Sequence, residues 1–261
     1  MYGVFEQQVT VSPEDAKSFG EDLSRIVVDA VTEKKTPYLR LSNLGNTCSR
    51  QLWYSVNAAE LAEKLPGHAR IKFLIGHITE AVILFLAKLA GHTVERQQEE
   101  VNLYGVKGHI DGIIDGELVD VKSASPYSFR KFEDGLKPEV DAFGYLSQLG
   151  GYAHSLGKRT GAFLAVDKVL GTLALDKHEL PEVDYEKKVN DAKEMLASNQ
   201  PPPRAFSDEP EGKSGNRKLG TKCSYCDWKT VCWPGVQQWN YSRGPIFLTK
   251  VVRPPKVDRG D

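Results

Sequence analysis

A short apolar stretch at residues 108–123, GHIDGIIDGELVDVKS, carries acids and a lysine among its aliphatic residues and glycines. The Asp-Gly pair at 115–116 predicts a two-residue type I′ hairpin, because both central positions of that turn need positive φ. The register set by this turn places Asp111 opposite Asp120. Side chains alternate along a strand, so Asp111, Asp120 and Lys122 are expected on one face, with the opposed Cβ atoms about 5 Å apart.

Two carboxylates held so close repel each other, and without a counter-ion one of them would be driven to take up a proton. A divalent cation removes the repulsion, and hard oxygen ligands suit Mg²⁺ or Mn²⁺. Lys122, two residues after Asp120, would then lie beside the metal. There it could polarise a water molecule or hold a phosphate oxygen.

The same register makes His109 face Lys122, so His109 is a candidate metal ligand, a phosphate contact or a cover for the strand end. Glycines at 108 and 112 flank Asp111 on both sides. Glycine within a strand marks a close approach by backbone or ligand, which favours a functional site. The alternative is a group of solvated charges at a strand end.

The elements that must position these residues follow the order of an α/β protein. Helices are predicted first, then a mixed sheet with inserted helices, and then a non-repetitive C-terminal segment. The predicted helices cover residues 12–36, 51–65, 69–89, 125–135, 142–157 and 184–198, and the predicted strands lie within 92–105, 108–123, 161–168 and 170–177. The helix at 69–89 is apolar on most sides and is therefore expected to be buried. From Arg204 to the cysteines the chain is expected to be irregular.

Composition restricts the class of protein. The chain has 261 residues, a net charge of −1, 40% hydrophobic and 26% charged residues, which is typical of a soluble globular protein. No apolar run reaches the ~18 residues of a membrane span, and no secretory signal is recognisable, so we expect a cytoplasmic protein without a membrane partner. A basic tail begins at Arg243 and could bind phosphate or serve only solubility.

All four cysteines have spacing that suits a metal. Cys223, Cys226 and Cys232 form a C-x₂-C-x₅-C pattern, and Cys48 lies far upstream. In a cytoplasmic chain this pattern favours metal ligation over disulfides. Four thiolates suit zinc and an iron–sulfur cluster equally well. The four tryptophans lie near these cysteines in sequence and are expected to shield the metal or to pack in the core.

The hairpin motif, Ile110-Asp111 followed by Asp120-Val121-Lys122, resembles the PD-(D/E)XK nuclease core. Two further motifs follow the order of RecB-type exonucleases. Gly76 to Glu80 is similar to their G-x-x-x-(H/E) motif, and Gln148 to Tyr152 is similar to their Q-x-x-x-Y motif. The residues that the resemblance implies as metal ligands, besides the two aspartates, are Glu80 and the carbonyl of Val121. His77 is a weaker candidate on an adjacent helix face, while Gln148 and Tyr152 would contact DNA or fix Lys122.

The cysteines extend the resemblance to the iron–sulfur branch of these nucleases, which includes the AddB nuclease domain and the CRISPR-associated exonucleases. One cysteine precedes the nuclease core, within SNLGNTCSRQLWY at 42–54, and three follow it. Ser49 departs from the proline that often follows the first cysteine in the family. The implied cofactor is a [4Fe–4S] cluster that joins the N- and C-terminal segments, with zinc as the alternative.

The resemblance implies a PD-(D/E)XK (restriction-endonuclease-like) fold with a central mixed sheet flanked by helices. Residues 1–67 would form a helical region with Cys48, residues 68–199 the nuclease core, and residues 200–261 the iron–sulfur segment and basic tail. The implied activity is a metal-dependent DNA exonuclease of recombination, repair, CRISPR-type or phage DNA processing. Its partners would be DNA with a free end and a separate helicase or recombination protein, and an oligomer is compatible with the sequence.

Three other functions are compatible with the sequence: a non-catalytic nucleic-acid-binding module, a zinc-stapled structural protein, and an endonuclease. Arg50 is expected to hold a backbone phosphate or to form a salt bridge. Aromatic residues near the cysteines could stack single-stranded bases.

Overall fold

The computed structural model describes residues 1–7, 9–32 and 37–260. The α-helices within these ranges are α1 Gly3–Glu6, α2 Pro13–Thr32, α3 Leu41–Leu44, α4 Ser49–Asn57, α5 Gly67–Leu89, α6 Pro126–Glu133, α7 Tyr145–Ser155, α8 Tyr185–Ala197, α9 Thr221–Ser224 and α10 Lys229–Cys232. The strands are β1 Val94–Glu95, β2 Glu100–Leu103, β3 Val106–His109, β4 Gly112–Ile114, β5 Glu117–Ala124, β6 Thr160–Asp167, β7 Leu173–Glu179, β8 Glu209–Pro210, β9 Arg217–Lys218, β10 Gln237–Tyr241 and β11 Gly244–Lys250. Short 3₁₀ turns follow α4 and precede α7.

The central sheet has five strands in the order β1-β4-β5-β6-β7. Only β5 and β6 run parallel, and the other neighbours are antiparallel, so the sheet is mixed as predicted. A parallel pair needs a crossover connection, and α6 and α7 supply it. Helices therefore flank the sheet, which is the mixed α/β arrangement expected from the sequence.

Each face of β5 belongs to a different part of the core. Leu118 and Ala124 pack into the larger cluster, with residues of α6 and α7. Val119 and Val121 point the other way and pack with Ile83 of α5. This alternation decides where the charged residues of β5 lie, because Asp120 and Lys122 must share the face of Leu118 and Ala124.

Helix α5 has the predicted extent but not the predicted burial. Only its C-terminal half is buried, through Ile83, Leu84 and Ala87. Ile71 and Phe73, in the N-terminal half, are both 58% exposed. Apolar composition therefore did not predict burial here, because no element of the described ranges packs closely over Ile71 and Phe73.

The helix predicted at 51–65 ends early, at Asn57. The C-terminal part of the chain explains the break, because Trp228 donates its indole N–H to the Ala58 carbonyl at 3.0 Å. Glu63 then donates its backbone N–H to the carbonyl of Asp227 at 2.7 Å. These long-range contacts outweigh the helical propensity of the local sequence.

The C-terminal region contains a second sheet of four antiparallel strands in the order β10-β11-β9-β8, where the sequence predicted irregular chain before the cysteines. Strands β8 and β9 have two residues each, too short to show an alternating pattern. Asn216 is buried at the centre of this region, where its amide oxygen accepts the backbone N–H groups of Val252 and Arg253. No helix in the described ranges has the length and apolar character needed to cross a bilayer.

Candidate active site

The hairpin between β4 and β5 forms in the predicted register. Asp115 and Gly116 both have positive φ, 49° and 81°, as a type I′ turn requires. Gly112 pairs with Val119, and the next two residue pairs follow in step. The Asp-Gly prediction is therefore confirmed in turn and register.

The hairpin ladder ends one residue before the predicted carboxylate pair. Asp111 lies between β3 and β4 instead of within a strand, and its Oδ2 accepts the backbone N–H of Val121 at 2.7 Å. Ile110 is fully buried, and its N–H donates to the Glu99 carbonyl at 3.1 Å. At Asp111 the chain therefore leaves the two-stranded sheet formed by β2 and β3 and enters the central sheet through β4.

This change of sheet makes the predicted pairing of His109 with Lys122 wrong. His109 is exposed, lies in β3, and pairs with Glu100 of β2. The register rule failed because β2 takes β3 as its partner before the central hairpin begins. His109 thus lies outside the group of residues that the hairpin brings together.

The two glycines beside Asp111 also have a structural explanation. A Cβ at Gly108 would lie 2.7 Å from the Leu41 Cβ and 2.8 Å from a ring carbon of Tyr152. A Cβ at Gly112 would meet only ordinary contacts. Side-chain packing therefore accounts for the glycine at 108, whereas Gly112 has no such close contact.

Asp120 and Lys122 lie side by side on one face of β5, as predicted. Asp120 is 2% exposed, and the Lys122 ammonium contacts its Oδ2 in an ion pair. That oxygen makes this ionic contact without a well-aligned hydrogen bond. The ammonium also lies 4.8 Å from the ring centroid of Tyr145, which covers it from solvent.

The acids around Lys122 perturb one another. Burial raises the pKa of Asp111 well above its ordinary value, and the charges of Asp120 and Glu80 raise it further. Burial and the charge of Asp120 raise the pKa of Glu80 to about 7. These shifts agree with the proton uptake expected when carboxylates gather without a counter-ion. The structure thus brings Glu80, from α5, into the same electrostatic group as the two aspartates.

Lys122 remains positively charged in this group. Burial alone would lower the pKa of its ammonium, but the charges of Asp120 and Asp111 outweigh burial and hold the pKa above its ordinary value. A lysine in this state does not act as a general base at neutral pH. It supplies a fixed positive charge beside the acids.

Each of the three acids has its own partner in the protein. The Glu80 carboxylate accepts from the Gln98 side chain, Asp111 from the Val121 N–H, and Asp120 contacts Lys122. Accordingly, no three His, Cys, Asp or Glu side chains in the described part of the chain are arranged as a metal site without rearrangement. The donor set still fits Mg²⁺ or Mn²⁺, because all donors are carboxylate oxygens and the buried Asp120 Oδ2 is incompletely satisfied.

Gln148 and Tyr152 meet on one face of α7, as their spacing predicts. The Gln148 amide donates to the Tyr152 hydroxyl at 3.4 Å. Tyr152 is 3% exposed, and burial, together with the charges of Asp120 and Asp111, raises its pKa to about 12. Tyr152 is therefore both a core residue and a neighbour of the acids.

His77 lies on the exposed surface of α5, three residues before Glu80. Two residues of the site were missed by sequence reasoning. Tyr145 precedes Gln148 by three positions, and this helical spacing could have revealed it. Gln98 has φ of 53°, which no sequence signal indicates for a glutamine.

A second site gathers the cysteines. All four are free thiols that line one cavity, of about 350 Å³ including its open mouth, so the structure brings Cys48 to the C-terminal three. Cys48 caps the start of α4, where its sulfur accepts the Gln51 N–H at 3.4 Å. Burial raises the pKa of Cys226 to about 12, and burial plus the charges of Cys48 and Cys232 raises that of Cys223.

The chemistry of this donor set fits a thiolate-ligated metal, because four soft sulfur donors from both ends of the chain line one cavity. Like the acids, the thiols would have to rearrange to bind one ion together. Trp228 and Trp233 line the cavity. Trp53 packs behind it against Trp228, whereas Trp239 lies in β10. The expected shield of four tryptophans is therefore made by two that line the cavity and one behind them.

Arg50 joins the two chain segments near this cavity. Its guanidinium donates to the Pro202 carbonyl at 2.6 Å and to the Tyr54 hydroxyl at 3.2 Å. These partners are neither a phosphate nor an acid. Arg50 thus fastens the chain after α8 to helix α4.

Together, the fold and the two sites define a mixed α/β protein with a buried acid–lysine group in its central sheet and a cavity lined by four thiols. No protein-family model and no curated protein matches the chain. A crystal structure of SSO0001 is similar with 16% identity and a TM-score of 0.43, over 85% of this chain and 96% of that one. The alkaline exonuclease LHK-Exo from Laribacter hongkongensis is similar with 13% identity and a TM-score of 0.41, over 62% of this chain and 88% of its own.

LHK-Exo in complex with dAMP gives 14% identity and a TM-score of 0.40, over 69% of this chain and 92% of that one. These likenesses are distant. The function of the chain has to be argued from its own site.

Proposed function

We propose that the protein is a metal-dependent deoxyribonuclease of the PD-(D/E)XK type that acts as an exonuclease. The observation that carries the proposal is one buried electrostatic group formed by three separate parts of the chain. Asp120 and Lys122 come from β5, Asp111 from the break before β4, and Glu80 from α5. Acids whose pKa is raised by burial and by neighbouring acids cluster at functional sites.

Glu80, Asp111, Asp120 and the Val121 carbonyl would hold one or two Mg²⁺ or Mn²⁺ ions. When bound, such an ion lowers the pKa of water and stabilises negative charge on a phosphate. The residues of the chain supply the rest. Lys122 keeps its positive charge and orients the attacking water or a phosphate oxygen.

Tyr145 and Tyr152 limit access to this group. The ring of Tyr145 lies over the Lys122 ammonium, and Tyr152, which neighbours the acids, accepts a hydrogen bond from the Gln148 amide. Water that hydrates these charges is partly excluded, so their electrostatic effect on a phosphate is larger than it would be at a surface. Gln148 is the polar group placed to contact the DNA strand, with His77 as a more remote candidate.

For the thiol cavity we propose a [4Fe–4S] cluster held by Cys48, Cys223, Cys226 and Cys232. Its role would be structural, because it would close a very long loop between the N- and C-terminal segments. Zinc is the alternative that four thiols also fit. A brown protein that absorbs near ~400 nm supports iron–sulfur ligation, and a colourless protein with stoichiometric zinc supports the alternative.

The nuclease proposal is tested with end-labelled linear single- and double-stranded DNA and with closed circles, in Mg²⁺ or Mn²⁺. We expect stepwise loss of label from linear DNA and none from circles. Lys122→Met and Asp120→Asn should abolish cleavage, while Lys177→Ala, on the exposed side of β7, should not change it. Metal-dependent cleavage of circles would replace the exonuclease by an endonuclease, and DNA binding without cleavage would support the non-catalytic module.

DNA with a free end is the proposed substrate, in recombination, repair, CRISPR-type or phage DNA processing. A helicase or recombination partner would be a separate protein. Co-purification with a tagged chain, followed by measurement of cleavage with and without the partner, tests this association.

A further inference from the structure

A second cavity opens beyond Lys122, on the side away from the three acids. It contains about 690 Å³ of space including its open mouth. Its walls are the C-terminal end of β5, helix α6, the chain at 138–145 that leads into α7, and the turn after β6. Lys122 is the one residue of the acid–lysine group that lines it. The cavity therefore adjoins the site of proposed cleavage without being part of it.

The cavity is positively charged. Lys122, Lys131 and Lys168 line it, and Asp141 is the acid in its wall. The Asp141 carboxylate already accepts the backbone N–H groups at the start of α7, including that of Tyr145 at 2.9 Å. Its charge is thus used to cap a helix. Among the lysines, Lys122 is paired with Asp120, so the positive charge available to a ligand of the cavity comes from Lys131 and Lys168.

Two of the lysines are held by the backbone near the cavity. The Lys131 ammonium donates to the Val140 carbonyl at 3.1 Å, and this fixes the wall at 138–145. The backbone N–H of Lys168 donates to the Ala124 carbonyl at 3.0 Å, which places Lys168 at the end of β5. The Lys168 side chain itself is exposed at the mouth and is free to reach a phosphate.

The remaining walls suit the other parts of a nucleotide. The hydroxyls of Ser125 and Ser128 lie 3.3 Å apart and offer both donors and acceptors. Phe143 is 49% exposed at the rim, and its ring lies 5.7 Å from the ring of Tyr145. An exposed aromatic ring next to lysines is the combination by which proteins hold single-stranded nucleic acid, through base stacking and phosphate contacts.

We propose that this cavity is a subsite for one unpaired nucleotide of the DNA strand, next to the phosphate that Lys122 contacts. The inference rests on the proposed nuclease function and deepens it. The enclosed part of the cavity is about 220 Å³, below the ~300–1,000 Å³ typical of small-ligand sites. A nucleotide would therefore occupy it together with the open space at its mouth. An unpaired base is free to stack on Phe143, whereas a base within a duplex is already paired and stacked. The preferred substrate is therefore a linear strand whose terminal nucleotide is unpaired.

The subsite is tested by the affinity for a fluorescein-labelled thymidine 12-mer, measured by anisotropy in Ca²⁺ over a series of salt concentrations. Lys168→Ala should weaken binding roughly 5- to 10-fold at low salt. It should also reduce the slope of log K against log salt by about 0.7, the value for one phosphate contact on a single strand. Lys168→Glu should have a larger effect, and the control Lys177→Ala, at the other end of the sheet, should leave both quantities unchanged.

Phe143 gives an independent test of the stacking surface. Phe143→Ala should weaken binding without changing the salt slope, and Phe143→Tyr should restore it, since both aromatic rings can stack. A blunt, fully paired duplex should bind with little dependence on Lys168. The subsite proposal would be overturned if Lys168→Ala and Lys168→Glu bound the 12-mer with the same affinity as the unchanged protein.

Failure of the subsite and failure of the nuclease proposal give different results. If the unchanged protein cleaves DNA but substitutions of Lys168 and Phe143 do not change the affinity for the 12-mer, the subsite proposal is wrong and the nuclease proposal stands. If no cleavage occurs with any metal but the Lys168 and Phe143 effects are found, the cavity binds nucleotides in a protein that is not a nuclease. Acetylation of lysines in the presence of the 12-mer is a further check, because Lys168 should be protected and Lys177 should not.

Discussion

Replacing Glu80 by glutamine should make the metal-free protein more stable at neutral and alkaline pH. The pKa of Glu80 is raised from 4.5 to about 7, first by burial and then by the charge of Asp120. The unfolded chain therefore releases this proton near pH 4.5, while the folded protein holds it to about pH 7. Between these values the folded state binds more protons, so its stability falls as the pH rises.

The magnitude follows from the size of the shift. A shift of about 2.5 pH units, at 1.36 kcal/mol per unit, corresponds to about 3 kcal/mol. Glu80 is partly exposed, so solvent screening reduces this to roughly 1.5–3 kcal/mol. The stability is fully present below pH 4.5 and is lost as the pH rises to 7. Glutamine does not ionise, so Glu80→Gln should avoid the loss and keep the acceptor for Gln98.

The assay is urea unfolding in buffer without divalent cations, at pH 4.5, 6 and 8. Relative to the unchanged protein, Glu80→Gln should gain stability from pH 4.5 to 8, and Glu194→Gln, an exposed acid on α8, should show no such trend. Mn²⁺ at pH 8 should then stabilise the unchanged protein more than Glu80→Gln, since a ligand that binds only the folded state adds stability. A difference between variant and unchanged protein that is constant from pH 4.5 to 8 would refute the argument.

Three further predictions concern the acid–lysine group, the thiol cavity and the packing around the hairpin. Lys122→Met leaves the buried Asp120 without its cation and should cost about 3–5 kcal/mol of folding free energy in urea unfolding, besides the loss of cleavage. Adding Asp120→Asn to that variant should recover much of the stability, and no recovery would contradict the ion pair. Cys48→Ser should lose the bound metal and lower the melting temperature, as metal analysis and thermal unfolding would show, whereas full metal content would exclude Cys48 as a ligand. Gly108→Ala places a methyl group 2.7 Å from a leucine side chain and should cost about 1–3 kcal/mol, while Gly112→Ala should cost less in the same assay.

The turn and register of the hairpin could be predicted because they depend on local chemistry. The Asp115-Gly116 turn requires positive φ at both residues, and the pairing of β4 with β5 follows from that turn. The shared face of Asp120 and Lys122 follows in turn from the alternation along β5. These two residues are the part of the candidate site that sequence alone could place.

The position of His109 could not be predicted, because it depends on competition between distant strands. The sequence from Gly108 to Ile114 was predicted as one strand of the hairpin, but Gly108 and His109 pair with β2, and only residues 112–114 pair with β5. Nothing within the segment marks the change of partner. A rule that extends a register along the chain therefore fails at the residue where the partner changes.

The exposed N-terminal half of α5 and the C-terminal sheet were not predicted, for related reasons. Apolar residues show that a helix can be buried, but burial of Ile71 or Phe73 would need a surface opposite them. The two-residue strands β8 and β9 are held by contacts such as the Arg217 guanidinium with Asp208 at 2.6 Å. Such contacts join residues that become neighbours only when the chain folds, so the sequence does not predict them.

The loop before β2 shows why the site residues are both hard to predict and informative. Arg96 and Gln98 each have φ of 53°, a left-handed conformation that is unfavourable for residues other than glycine. Gln98, in this conformation, donates to the partly buried Glu80, whose own ionisation destabilises the fold at neutral pH. Backbone strain and an acid with a raised pKa thus occur at the same place, and neither stabilises the protein. Proteins keep several destabilising features at one place mainly where that place has a function. The strained loop and the raised pKa together therefore support a functional role for Glu80 more strongly than its position on α5 does alone.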